Sequence, residues 1–86
     1  MSSVAEQCRA MGLAVGDTIE GRESYGNNWN EARLTVLFIG QEVAVFHERE
    51  RNDRKPNWID QGETADWTLD CRKWKKVEPP THKGAV

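Results

Sequence analysis

The apolar positions of this 86-residue chain change period several times, and each change marks an element. In SSVAEQCRAMG, Val4, Cys8 and Met11 recur at i, i+4 and i+7, Ser3 and Glu6 stand at capping-box spacing, and Gly12 follows where a helix would end. The spacing predicts a helix over residues 3–12. A helix this short does not persist alone in water, so it must dock its stripe on a larger body. A Gly-Asp turn signal then precedes a short strand from Thr18 to Glu23. After the polar loop SYGNNWNE, the stretch ARLTVLFIGQEVAVFHERE holds two β-branched and aromatic runs around GQE, which predicts a tight hairpin with Gly40 at its turn.

The first run of that hairpin does not simply alternate. Leu34, Val36 and Phe38 share one face, and Leu37 and Ile39 the other; in the return strand Val43 and Val45 lie with His47, opposite Ala44 and Phe46. Both faces therefore carry apolar groups, and the second needs a cover. The N-terminal helix supplies it in a monomer, or a second subunit in a homodimer.

Farther on, ETADWTLDCRKWKKVE shows a period of two, with Ala65, Trp67, Leu69 and Cys71 facing in and Thr64, Asp66, Thr68 and Asp70 facing out. A short turn at LDCRKW leaves room for a last strand from Trp74 to Glu78. The tail from 79 to 86, with two consecutive prolines and no apolar pattern, reads as disordered. The fold class is mainly β: a small bent antiparallel sheet or barrel of about five strands with a short N-terminal helix, in one domain spanning 1–78, its β part over 16–78. The order, with a turn before a short last strand, resembles the layout of an SH3-like barrel.

Composition narrows the chemistry. No run approaches the roughly 18 apolar residues of a membrane helix, and MSSVAEQC lacks the basic and apolar regions of a secretory signal, so a cytoplasmic location is expected. Cys8 and Cys71, with His47 and His82 at unrelated spacings, form neither a zinc motif nor an expected disulfide, and no metal or cofactor is indicated. GxGxxG, P-loop, GxSxG, HExxH and CxxC signatures are all missing, so no enzyme is expected. His47 reads as a structural histidine at a strand end.

Charge is uneven. Residues 1–48 carry three Arg against seven acids, and residues 49–86 nine Lys or Arg against seven. Within RERNDRKPNW, Glu50 and Asp53 interrupt the cations; the second cluster, RKWKK, is denser. Both clusters read first as solvated faces, with phosphate binding as the alternative. In an up-and-down meander the first and third connections emerge at the same end, which brings Tyr25, Trp29 and Trp58 near Arg49, Arg51, Arg54 and Lys55. Those seven residues are the candidate binding site. Its aromatics and guanidiniums suit a protein surface, or else bases and phosphates; equally, Trp29 and Trp58 can be lids that close the ends of the barrel.

The strings VGDTIEGRE, WNEARLTVLFIG, EVAVF, W-x-D-x-G-E and WTLDCRKWKKV, spread over Leu13 to Val77, resemble a group of small proteins of unknown function encoded in the accessory or early regions of tailed bacteriophages of enteric bacteria. That resemblance implies context and transfers no functional residue. Small accessory phage proteins often act by binding, blocking a host enzyme or defence complex or sequestering a signalling nucleotide. The expected function is nonenzymatic binding and inhibition of a host protein in the host cytoplasm, with a nucleotide or single-stranded nucleic acid as the alternative ligand.

Overall fold

The computed structural model describes residues 2–65, 67–70 and 72–78. The sequence expectations for Asp66, Cys71 and the tail from 79 to 86 lie outside the described residues. Helix α1 spans Val4–Ala10, and five strands follow: β1 Thr18–Tyr25, β2 Asn28–Ile39, β3 Ala44–Asn52, β4 Ile59–Thr64 and β5 Trp74–Val77. They form one antiparallel sheet in the order β4-β3-β2-β1-β5.

No ladder joins β4 to β5 among the described residues, so the sheet is open and the barrel alternative does not apply. The first four strands make a meander, and β5 returns to pair with the free side of β1, Gly21 opposite Trp74. On this return the described residues Trp67, Leu69 and Arg72 form a crossing segment over one face of the sheet.

Helix α1 begins as its sequence dictates. The Ser3 side chain accepts from the Glu6 N–H, and the Glu6 carboxylate accepts from the Ser3 N–H. These two bonds satisfy donors that a first helical turn otherwise leaves to water. The far end is tied to the β2–β3 hairpin, where Arg9 donates to the carbonyls of Gly40 and Gln41 at 3.0 and 3.1 Å.

Under the helix lies the core: Ile19, Leu34, Val36, Ala44 and Phe46 from the sheet, Cys8 from the helix, and Leu13 and Leu69 from the connections. Val4 and Met11 pack against its edge, so the predicted apolar stripe does dock on the sheet. Leu69 is held in place because its N–H donates to the Gln7 side chain at 2.9 Å.

Several expectations need correction. The pairing of β2 with β3 shifts between Val36 and Phe38, so Leu37 is an extra residue in β2. A bulge reverses the alternation beyond it. Ile39, opposite Ala44, therefore joins the core face, whereas Phe38, opposite Val45, faces away with 52% of its surface exposed. The predicted grouping of Phe38 with Leu34 and Val36 fails for this reason.

The polar loop around Trp29 shrinks to Gly26 and Asn27, because β1 and β2 continue their pairing out to Tyr25 and Asn28. Arg49 and Arg51 likewise belong to β3, leaving residues 53–58 as the connection to β4. The fourth strand is Ile59–Thr64, not the period-two stretch that follows it. Ala65, expected inward, is exposed and Thr64, expected outward, is half-buried; Trp67 and Leu69 do turn inward while Thr68 and Asp70 are exposed, but on the crossing segment, where no ladder among the described residues pairs them. Alternating burial is a property of any extended chain laid on an apolar surface, and does not by itself identify a strand.

Candidate functional site

The sheet has two unlike faces. One carries the core and α1, and the other has no helix over it among the described residues. On that second face Glu20 and Arg22 of β1, Trp29, Glu31 and Arg33 of β2, and Arg51 of β3 stand at alternate positions, so the period of two projects them together. Trp58, at the end of the 53–58 connection, folds onto the same group.

The side chains form a row of indoles and guanidiniums. The Arg22 guanidinium carbon is 4.4 Å from the Trp29 ring centroid, and that of Arg51 is 5.8 Å from the same ring. Arg51 is also 4.6 Å from the centroid of Trp58, and Arg33 is 4.4 Å from it. A cation over an indole face is attracted by the ring quadrupole, and more strongly when water is partly excluded.

Two carboxylates hold the cations in register. Glu31 accepts from Arg22 at 3.1 Å and from Arg51 at 2.6 Å, and Glu20 pairs with Arg33. Burial pushes the Glu31 carboxyl up, but the hydrogen bond and charge of Arg51, aided by Arg22, outweigh it and leave the group below its ordinary value. Glu31 therefore stays ionised through neutral pH and fixes Arg51 between the two indoles.

Of the seven residues singled out from sequence, Trp29, Arg51 and Trp58 meet in this row. Tyr25 is 57% exposed at the end of β1, with its hydroxyl donating to Glu23 at 2.5 Å. The 53–58 connection lies beside the β1–β2 turn: the Trp29 N–H donates to the Asp53 carboxylate at 3.3 Å, and a groove of about 300 Å³ opens between Tyr25, Trp29, Asp53 and Arg54. Arg54 and Lys55 are exposed there, and their N–H groups both donate to the Asn52 side chain, at 2.9 and 2.8 Å. Arg49 lies on the same face beside the row, the cross-strand partner of Arg33 on one side and of Asp60 on the other.

The sequence reading missed Arg22, Arg33, Glu20 and Glu31. The signal was present in the alternation of W-x-E-x-R along β2, but only the register with β1 and β3 shows which charges meet. His47 also lies on this face, with its Nε2 atom 3.0 Å from Asp60. The backbone N–H of Gly62, and then His47, hold the Asp60 carboxyl below its usual range.

A second polar cluster sits on the core face. Arg72, its side chain only 7% exposed, pairs with Glu23 at 2.9 Å and donates to the Gly21 carbonyl at 3.1 Å. Its guanidinium lies 5.1 Å from the Trp67 ring and 5.7 Å from that of Trp74, and the two rings meet edge to face. Arg72 is thus consumed in packing. Nearby on β3, burial and a hydrogen bond that the protonated Glu48 carboxyl donates to Glu50 push the Glu48 carboxyl up to about 7, against a weaker pull from the Trp67 indole and Arg72.

Among the described residues no group of three or more His, Cys, Asp or Glu side chains could hold a metal ion, and no helix is long and apolar enough to cross a membrane. Comparison with known proteins gives a family without a function. Residues 2–79 match the family described as a domain of unknown function, DUF7241, and the chain belongs to that family. No curated protein and no solved structure matches it.

Proposed function

We propose that this member of a family without an assigned activity is a nonenzymatic binding module that captures and inhibits a host protein, in the setting of a bacteriophage accessory protein acting in the host cytoplasm. The observation that carries the reading is the Arg22–Trp29–Arg51–Trp58–Arg33 row on a sheet face that no helix covers among the described residues. Tryptophan and arginine are the side chains that most often dominate protein interfaces. Here they are ordered in advance by Glu20 and Glu31, so less conformational freedom is lost on docking.

The alternative ligand, a nucleotide or single strand, fits the row less well. Stacking a base needs a bare ring face, and both indoles already have guanidiniums over them. What favours that ligand is the other end of the candidate site, where exposed Tyr25 and Arg54 line the groove and exposed Lys55 follows in the chain.

The test is affinity capture from host lysate followed by binding measurements with the purified partner. Trp58→Ala and Arg51→Ala are expected to weaken that binding by at least about tenfold while the β-sheet circular dichroism is unchanged. If folded forms of both variants hold the partner as tightly as the parent, the row is not the interface. Saturable quenching of tryptophan emission by oligonucleotides or cyclic dinucleotides, lost on Tyr25→Ala, would select the alternative.

A further inference from the structure

The RKWKK cluster has a role in the fold that the row does not share. Arg72 is spent on Glu23 and the indoles, and Lys76 pairs with Asp17 at 3.3 Å. Lys73 and Lys75 are exposed and have no ion pair among the described residues. Both line a cleft of about 280 Å³ where β5 begins beside β1, together with Arg22, Trp74, Glu20 and Glu31.

Two acids in that lining do not cancel its three cations. Glu20 is paired with Arg33, and Glu31 accepts from Arg51 as well as from Arg22. Neither Arg33 nor Arg51 lines the cleft, so the acids are met from behind and an excess of positive charge faces the opening. The side chain of Arg22 is 50% exposed and keeps most of its donors after one bond to Glu31. The cleft is therefore rich in donors, cationic and of small-molecule size.

We infer that the cleft between β1 and β5 binds a phosphate-bearing small molecule, its mono- or diphosphate group held by Arg22, Lys73 and Lys75. The count of charges selects this class. One carboxylate would leave two cations unanswered, whereas a diphosphate carries the charge and the acceptor oxygens for all three. A nucleic-acid strand is disfavoured because three cations neutralise few phosphates and the chain as a whole is acidic, with a formal charge of −2. The site shares Arg22 with the host-protein row but is carried by Lys73 and Lys75, which take no part in that row.

Titration of the whole chain with inorganic pyrophosphate, followed by calorimetry and by amide chemical shifts, tests the assignment. Saturable binding is expected, with the largest shifts at Arg22 and Lys73 to Lys75, weakened about tenfold or more in the Lys73→Ala, Lys75→Ala double variant. Because both lysines are exposed, that variant should fold as the parent does, and the Lys73→Arg, Lys75→Arg variant should keep the affinity. A parallel titration with ADP shows whether a base and sugar add to the phosphate contacts. Absence of saturable pyrophosphate binding, equal affinity in the double alanine variant, or shifts confined to Arg54 and Lys55 would each overturn it. Because the double alanine variant leaves Arg22 and the rest of the row intact, loss of pyrophosphate binding in it is distinguishable from loss of host-protein capture.

Discussion

Arg51 lies 4.6 Å from the ring centroid of Trp58 while its Nε donates to Glu31 at 2.6 Å, so one guanidinium joins an indole from the β3–β4 connection to a carboxylate on β2. The connection is thereby pinned by electrostatics to the face of the sheet opposite α1.

A double-mutant cycle measures that link. Arg51→Met and Trp58→Leu, singly and together, should give a coupling energy of about 0.5 to 1 kcal/mol in urea unfolding, the range expected for a partly exposed cation over an indole. The coupling should persist in high salt better than that of an exposed ion pair, because it rests partly on the ring quadrupole. Additive single effects would mean that the contact contributes nothing.

Glu48 makes stability depend on pH in an unusual direction. Its folded-state value of about 7 stands above the ordinary 4.5, so between those values the native chain holds a proton that the unfolded chain releases. Its contribution therefore falls as pH rises through that window and levels off above it. Glu48→Gln should stabilise the protein by about 1 to 3 kcal/mol near pH 8 and change little near pH 4.5. Parallel stability profiles for variant and parent would show that burial and Glu50 do not shift this carboxyl.

Gly21 has no room for a side chain. A Cβ there would lie 2.7 Å from Cδ of Arg72 and 2.9 Å from the Trp74 ring. Gly21→Ala should cost about 1 to 3 kcal/mol and redshift tryptophan emission as Trp67 and Trp74 are pushed apart. Since Arg72 also donates to the Gly21 carbonyl, Gly21→Ala combined with Arg72→Ala should cost less than the sum of the two.

Ser3 tests the local origin of the helix. Ser3→Ala removes the acceptor for the Glu6 N–H and should cost about 1 kcal/mol, read as a lower midpoint with an unchanged denaturant slope. Ser3→Asp should restore most of it.

Much of this architecture was legible from local pattern. Ser3, Glu6 and the stripe of Val4, Cys8 and Met11 announce a helix because capping and facing depend on neighbours three to seven residues away. The β-branched and aromatic runs on either side of Gly40 announce a hairpin for the same reason: its partners are close in sequence. The adjacency of the Trp29 and 53–58 regions also follows from strands that reverse direction in turn.

Tertiary structure alone decided the rest. Leu37 becomes a bulge only because β2 must pair with β3 on one side and carry Ile39 back to the core, a compromise between elements that no local window contains. Whether the sheet closes depends on the distance between β4 and β5, and whether Arg72 is a surface cation or a packed one depends on Gly21, fifty-one residues away. The row of Arg22, Trp29, Arg51, Trp58 and Arg33 likewise exists only through register. Periodicity states which side of its own strand a residue occupies, and pairing across strands states what it meets there.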